Sequence, residues 1–187
     1  MKEKLRVEFR RLRQRHALEL QQVLDQSLQH WLTPGLSQTG ERHLGFFWPL
    51  GSEPDLRTPL QALGTPLALP VVEADRLLYR PWRPDTPLVA DACGIPAPPA
   101  SEPALAPEQL ALLVVPALAI DRQGMRLGSG GGWYDRLRSD PAWRAVPALV
   151  VLPARCVIER LPTESWDVPF DGWIDQTGCH WLGGRRF

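Results

Sequence analysis

The feature that most constrains the fold of this chain is the run Leu112-Leu113-Val114-Val115, which leads shortly into Gly128, Gly130, Gly131 and Gly132. Four branched apolar residues in succession predict a buried strand, and the turn residues after them mark its end. A loop with so few Cβ atoms can turn its backbone N–H groups inward on an anion. A helix opening near Gly132 or Trp133 would carry Tyr134, Asp135 and Leu137 and aim its N-terminal dipole at the same anion. Asp121 before the loop and Asp135 after it are both placed to reach a metal ion riding on phosphates. Glycine content alone also suits a flexible surface turn. The flanking carboxylates, Arg126 and the pair Trp133-Tyr134 favour the cradle. The loop is not a Walker A motif, because no Lys-Ser or Lys-Thr follows the glycines. Nor is it G-x-G-x-x-G, because Trp133 takes the last glycine's place.

Around this centre the chain alternates helical and strand patterns. Residues 2 to about 31 carry an apolar stripe, Leu5, Phe9, Leu12, His16, Leu20, Val23 and Leu28, at helical spacing. Opposite it lie Lys2, Lys4, Arg6, Arg10, Arg11, Arg13 and Arg15, a basic run that reads first as a solvated face. The only lysines in the chain are Lys2 and Lys4, and a lysine ammonium is a compact charge able to meet a phosphate. Thr33, Pro34 and Gly35 are expected to end the helix. Strands are expected at residues 43–50, 66–72, 76–82, 112–115, 146–152 and 170–174, with helices at about 55–63 and 153–161. Residues 83–107 are proline-rich and read as irregular cover. The alternation argues for one α/β domain over residues 1–187, a three-layer α/β/α sandwich whose central sheet is mixed and mostly parallel. Ligands of such sheets gather at the carboxyl ends of the strands.

Composition removes several alternatives. The formal net charge is zero, so no global field recruits nucleic acid or an anionic membrane, and a basic-helix RNA-binding module is disfavoured. Cys93, Cys156 and Cys179 are odd in number and widely spaced, which suggests neither a disulfide framework nor a zinc site. His16, His30, His43 and His180 never fall at metal-ligand spacing, and nothing around Ser129 or the cysteines resembles a nucleophile with its base. No apolar run approaches the length of a membrane span and no signal-peptide core follows the charged start, so the expected location is the cytoplasm. A monomer is expected.

The segment VPALAIDRQGMRLGSGGGWYDR resembles the signature of the 5-formyltetrahydrofolate cyclo-ligase family, with Asp121, Gly124, Arg126, Leu127, Gly128, Gly130, Gly132, Tyr134, Asp135 and Arg136 in register. Looser matches lie at Lys2-Glu3-Lys4-Leu5-Arg6, at Phe47 to Asp55 and at Leu161 to Asp167. The resemblance implies ATP- and Mg²⁺-dependent conversion of 5-formyltetrahydrofolate to 5,10-methenyltetrahydrofolate, with ADP and phosphate released. It implies ATP contacts from Lys2, Lys4 and Arg6, and from the loop Arg126, Leu127, Gly128, Ser129, Gly130, Gly131, Gly132, Trp133 and Tyr134. It further implies catalytic roles for Arg126 and Asp135, Mg²⁺ at Asp135 and Asp167, and folate held by Trp48, Glu53 and Trp133. Read without the resemblance, Trp48 suits a core position, Glu53 a helix N-terminal acid and Asp167 a turn. Ala97 departs from the family, standing where a glutamate is common. Two other readings stay open: a non-catalytic nucleotide-responsive binding domain on the same scaffold, and an ATP-independent sugar-phosphate isomerase or CoA-transferase-like enzyme.

Overall fold

The computed structural model describes residues 1–184. Arg185, Arg186 and Phe187, which the single-domain expectation includes, lie outside the described residues. Helix α1 (Lys2–Leu36) comes first. It is followed by β1 (His43–Gly45), α2 (Arg57–Gln61), β2 (Leu67–Glu73), β3 (Arg76–Trp82), β4 (Val89–Ala90), β5 (Pro96–Ala97), β6 (Leu110–Pro116), β7 (Ala119–Asp121) and β8 (Arg126–Leu127). The chain continues through α3 (Trp133–Ser139), α4 (Pro141–Ala145), β9 (Ala148–Val151), β10 (Val157–Ile158), β11 (Gly172–Asp175) and β12 (Gly178–Trp181).

Seven strands form the main sheet in the order β12-β11-β9-β6-β1-β2-β3. The inner pairs β2-β1, β1-β6, β6-β9 and β9-β11 are parallel, while β3 and β12 close the two edges antiparallel. Strand β6 is buried on both faces, as its apolar run requires. Leu113 and Val115 pack into one core, and Leu112 and Val114 into the other. The alternation breaks once. Ala111 shares a face with Leu112, and at that point the pairing with β1 slips from His43↔Leu110 to Leu44↔Leu112. One extra residue in β6 is a bulge, and it sets which side chains face each layer from there to Pro116.

Helices α1 and α2 cover one face, where Leu20, Leu24, Leu28, Leu32 and Leu36 of α1 lie against Leu44, Leu112, Val114 and Leu149. All five leucines are buried. At ~1.5–3 kcal/mol for each buried side chain, this row is the main force holding α1 to the sheet. The other face is covered by α3, α4 and a small sheet in the order β10-β7-β8. The arrangement is the expected three-layer α/β sandwich with a mostly parallel sheet.

Several boundaries differ from expectation for identifiable reasons. Helix α1 does not stop at Thr33-Pro34-Gly35 but runs to Leu36 with Pro34 inside its last turn. Burial of Leu32 and Leu36 outweighs the one backbone bond that proline cannot make. The strand expected over 43–50 pairs as a strand only at His43–Gly45; the Phe46 N–H still donates to the Ala68 carbonyl oxygen, and from Phe47 the chain turns away to line a cleft. The helix expected over 153–161 is absent. A single 3₁₀ turn at Ala154–Cys156 leads into β10, which pairs with β7. Val157 and Ile158 are β-branched, and sheet pairing overrides the weak helical spacing. Strand β12 was not expected, and the segment 83–107 contains the short β4-β5 hairpin.

Candidate active site

From β1 the chain moves through β2 and β3 toward one edge of the sheet, then returns to lay β6, β9 and β11 on the other side of β1. The reversal falls between β1 and β6, and a crevice opens beyond the carboxyl ends of strands at such a point. A cleft of about 730 Å³ lies there, within the range of ~300–1,000 Å³ usual for ligand sites. Its walls come from Phe47 to Glu53 after β1, Pro116 and Ala117 after β6, the glycine loop, the start of α1 and the segment Glu164 to Asp167.

The glycine loop forms one wall. Gly130 has φ +117° and Gly132 has φ +66°, conformations that other L-residues rarely adopt. The described residues give no backbone or side-chain acceptor to the N–H groups of Ser129, Gly130, Gly131 and Gly132, so a loop that lines the cleft carries four unpaired donors. Helix α3 does begin at Trp133, but its seven residues make the dipole a minor addition to those amides. Arginines flank the loop on two sides. Arg6 Nε donates to the Gly128 carbonyl oxygen at 3.2 Å. Beneath the loop, Arg126 Nη1 donates to the Pro116 carbonyl oxygen at 3.0 Å, and its guanidinium lies over the rings of Tyr134 and Phe170. Arg126 Nε is buried with no hydrogen-bond partner among the described residues. An orphaned N–H on a buried cation is unfavourable until an acceptor arrives, which suits a site for an anion. Arg136 stacks on Trp133 at 4.4 Å and completes the positive rim.

Two carboxylates face this wall. Asp135 Oδ2 lies 3.6 Å from Arg126 Nη2. Asp167 Oδ2 accepts from Lys2 Nζ at 2.5 Å and from the Glu164 N–H at 2.7 Å, which ties the start of α1 to the segment before β11. In neither residue does Oδ1 accept a hydrogen bond from the described residues, so each carboxylate keeps oxygen free for another partner. Among the described residues no group of three His, Cys, Asp or Glu side chains could hold a metal. Two carboxylates without a cage fit an ion that keeps its waters and arrives with phosphates, as Mg²⁺ does.

The opposite wall is built from side chains. Trp48 lines the cleft with the Arg57 guanidinium stacked 4.3 Å from its ring. Glu53 accepts from the Leu50 N–H at 3.0 Å through Oε2 and from Arg13 Nη1 at 3.3 Å through Oε1. Burial pushes the Glu53 carboxyl above its ordinary range, against the pull of Arg13, and lowers Arg13 for the same reason. Tyr134, beneath the loop, neighbours Tyr79 of β3, and burial raises both phenols. Pro70, Val72 and Leu77 add an apolar floor.

The cleft therefore gathers Lys2, Arg6, Trp48, Glu53, Asp135, Asp167 and the whole run Arg126 to Tyr134. Lys4 is not among them. It is exposed and lies outside the lining, because two residues along a helix is half a turn away from Lys2. Asp121 is not placed for a metal either. It is fully buried, with Oδ1 accepting from the Gln123 and Met125 N–H groups and Oδ2 from Leu161, so it fastens the turn after β7. Arg13 does not lie on the solvated face with Arg10 and Arg11. It is buried at the base of the cleft, and its spacing from Phe9 and Leu20, four and seven residues, was the signal that places it on the apolar stripe. Ala97 is buried in β5, outside the lining.

With this geometry established, comparison with known proteins is direct. The family model for the 5-formyltetrahydrofolate cyclo-ligase family matches residues 1–174. A protein of Haemophilus influenzae named 5-formyltetrahydrofolate cyclo-ligase is 29% identical over 177 residues, covering 90% of this chain and 94% of its own. One of Mycolicibacterium smegmatis with the same name is 37% identical over 155 residues, covering 76% and 77%. The NMR structure of the Aquifex aeolicus 5,10-methenyltetrahydrofolate synthetase superposes with a TM-score of 0.67 at 27% identity, over 98% of this chain and 95% of that one. A synthetase of that name from Mycoplasma pneumoniae shares the fold, with a TM-score of 0.71 at 20% identity over 94% and 98%. The chain belongs to the 5-formyltetrahydrofolate cyclo-ligase family and is, with its relatives, a ligase.

Proposed function

We propose that the chain, working as one domain, converts 5-formyltetrahydrofolate to 5,10-methenyltetrahydrofolate at the expense of ATP, and that Asp135 and Asp167 would hold the Mg²⁺ that accompanies the nucleotide. The observation that carries this reading is a single cleft with two unlike walls. One is a row of backbone N–H donors, unpaired among the described residues, between Arg6 and Arg126, suited to a triphosphate. The other is an aromatic ring beside a buried carboxylate, suited to a flat heterocycle with N–H donors.

The formyl oxygen on N5 is a poor leaving group. Transfer of the γ-phosphoryl group to that oxygen breaks the bond to ADP and leaves an N5-iminium carrying a phosphate ester. N10 then attacks the formyl carbon, loses its proton, and the C–O bond breaks to release phosphate and the N5–C–N10 bridge. No covalent bond to the protein is needed, and none of the surrounding side chains is an activated nucleophile. The protein contributes position and charge. The loop amides and Arg126 meet the negative charge on the transferring group, and Lys2 and Arg6 meet the rest of the triphosphate. Trp48, Glu53 and Trp133 hold the pterin so that the formyl oxygen faces the γ-phosphorus. Mg²⁺, when bound, would neutralise phosphate oxygens and draw charge from the leaving ADP.

The test is to incubate the protein with 5-formyltetrahydrofolate, ATP and Mg²⁺ while following methenyl absorbance and phosphate release together. Equal appearance of both, absent without ATP, is the expected result. Methenyl formation without ATP would overturn the reading in favour of an isomerase-like enzyme. Nucleotide binding without folate-dependent phosphate release would point to the non-catalytic binding domain.

A further inference from the structure

Arg13 is the one charged side chain on the buried stripe of α1, between Phe9 and Leu20. Its guanidinium ties three segments: Nε donates to Ser52 Oγ at 3.0 Å, and Nη1 donates to Glu53 Oε1 and to the Ala117 carbonyl oxygen, each at 3.3 Å. The Arg13 and Glu53 side chains are 7% and 8% exposed, and both line the cleft. As a stability device such a pair is inefficient, because a well-packed apolar replacement is often equally stable. A pair that spends its desolvation at the wall of a ligand cleft is better explained by what it does for the ligand.

We propose that Arg13 is a positioning residue for substrate, fixing the Glu53 carboxylate in place and in its ionised form so that it can accept the N–H donors on the amidine edge of the pterin. This rests on the reading that Glu53 holds the folate. Burial alone would favour the protonated acid, which loses acceptor capacity at that edge. The charged and titratable groups facing the pair are Arg10 from α1, Arg126 from β8, Tyr134 from α3 and Cys156 from the 3₁₀ turn, and the Leu50 N–H also donates to Glu53. The Cys156 thiol is pushed up to about 12 by burial and stays neutral. Of the other cations, Arg10 acts on Arg13 rather than on Glu53, and Arg126 is already engaged at Pro116. Arg13 is therefore the largest pull toward the charged form of Glu53, ahead of the Leu50 N–H and Arg126.

Steady-state kinetics of the full-length enzyme across the neutral pH range test this, with folding monitored by circular dichroism. Arg13→Met is expected to raise KM for 5-formyltetrahydrofolate about tenfold or more, leave KM for ATP within about twofold, and make the folate KM climb as pH falls and Glu53 takes a proton. Arg13→Lys keeps the charge but loses the fork, and should fall between Arg13→Met and wild type. Glu53→Gln should raise the folate KM without that pH dependence. If Arg13→Met does not fold, Arg13→Lys and Ser52→Ala decide, and each is expected to raise the folate KM several-fold. Folded Arg13 and Ser52 variants with wild-type folate KM and pH profile, beside a Glu53→Gln that is impaired, would overturn the role of Arg13. An unimpaired Glu53→Gln would instead remove Glu53 from the folate site, and the inference with it.

Discussion

The two walls of the cleft are made of different material. The loop wall, proposed for the nucleotide, is main chain: Ser129 to Gly132 are exposed or half-buried, contribute almost no side-chain surface, and have N–H groups with no partner among the described residues. The wall proposed for the folate is side chain: Trp48, Glu53 and Arg13 are set by burial, ring stacking and an ion pair. The difference suits the two ligands proposed. A triphosphate is recognised through its charge and oxygens, which backbone donors meet without sequence identity, whereas a heterocycle has a face and an edge that only particular side chains can address.

That contrast can be broken at its joint. Asp135, beside the loop and 3.6 Å from Arg126, is where main-chain recognition gives way to charge. Asp135→Asn should lower turnover about 10²-fold or more with the thermal transition almost unmoved, and near-normal turnover would remove it from the metal role. Within the loop, backbone shape should matter and side chains should not. Gly132→Ala places a Cβ at φ +66°, a strain of about 1–2 kcal/mol, and should raise KM for ATP roughly tenfold, while Ser129→Ala should leave it unchanged. Equal effects of the two would mean that the loop is not read as main chain. On α1, Lys2→Ala should raise KM for ATP by up to about fivefold, and Lys4→Ala not at all, since only Lys2 reaches the cleft.

The smallest effect belongs to the folate wall. Arg57 holds Asp55 below its ordinary 3.8 by hydrogen bonding. Its contribution to stability is therefore complete above pH 3.8 and is lost as pH falls through the lower, folded value. Asp55→Asn should lower the melting temperature by about a degree at neutral pH, with the gap closing in acid. A gap that persists at low pH would mean that Asp55 acts through something other than its charge.

How much of this was readable in the sequence follows the same division. The loop, β6 and the start of α3 were legible because their signals are local: an apolar run, glycines and a following aromatic-acid pair. Helix α1 was legible from its spacing, but the stripe named Val23 where Leu24 is buried, and its end was missed, since Pro34 reads as a stop and only burial of Leu32 and Leu36 shows otherwise. Arg13 was misplaced because basic neighbours at positions 10, 11 and 15 suggest a solvated face. Its partners Ser52, Glu53 and Ala117 are about forty to a hundred residues away. The false helix over 153–161 has the same origin, a pairing of Val157 and Ile158 with β7 that nothing nearby announces. Asp121 was read as a site residue for its place beside the glycines, yet all its bonds go to backbone N–H groups.

The central claim is that bare backbone at Ser129 to Gly132 grips the triphosphate, and backbone amide NMR of ¹⁵N-labelled protein titrated with a non-hydrolysable ATP analogue and Mg²⁺ tests it most directly. The account predicts the largest downfield amide shifts at Ser129, Gly130, Gly131 and Gly132, saturating together with the binding isotherm. Saturable binding that leaves those four amides unmoved while others shift would contradict it.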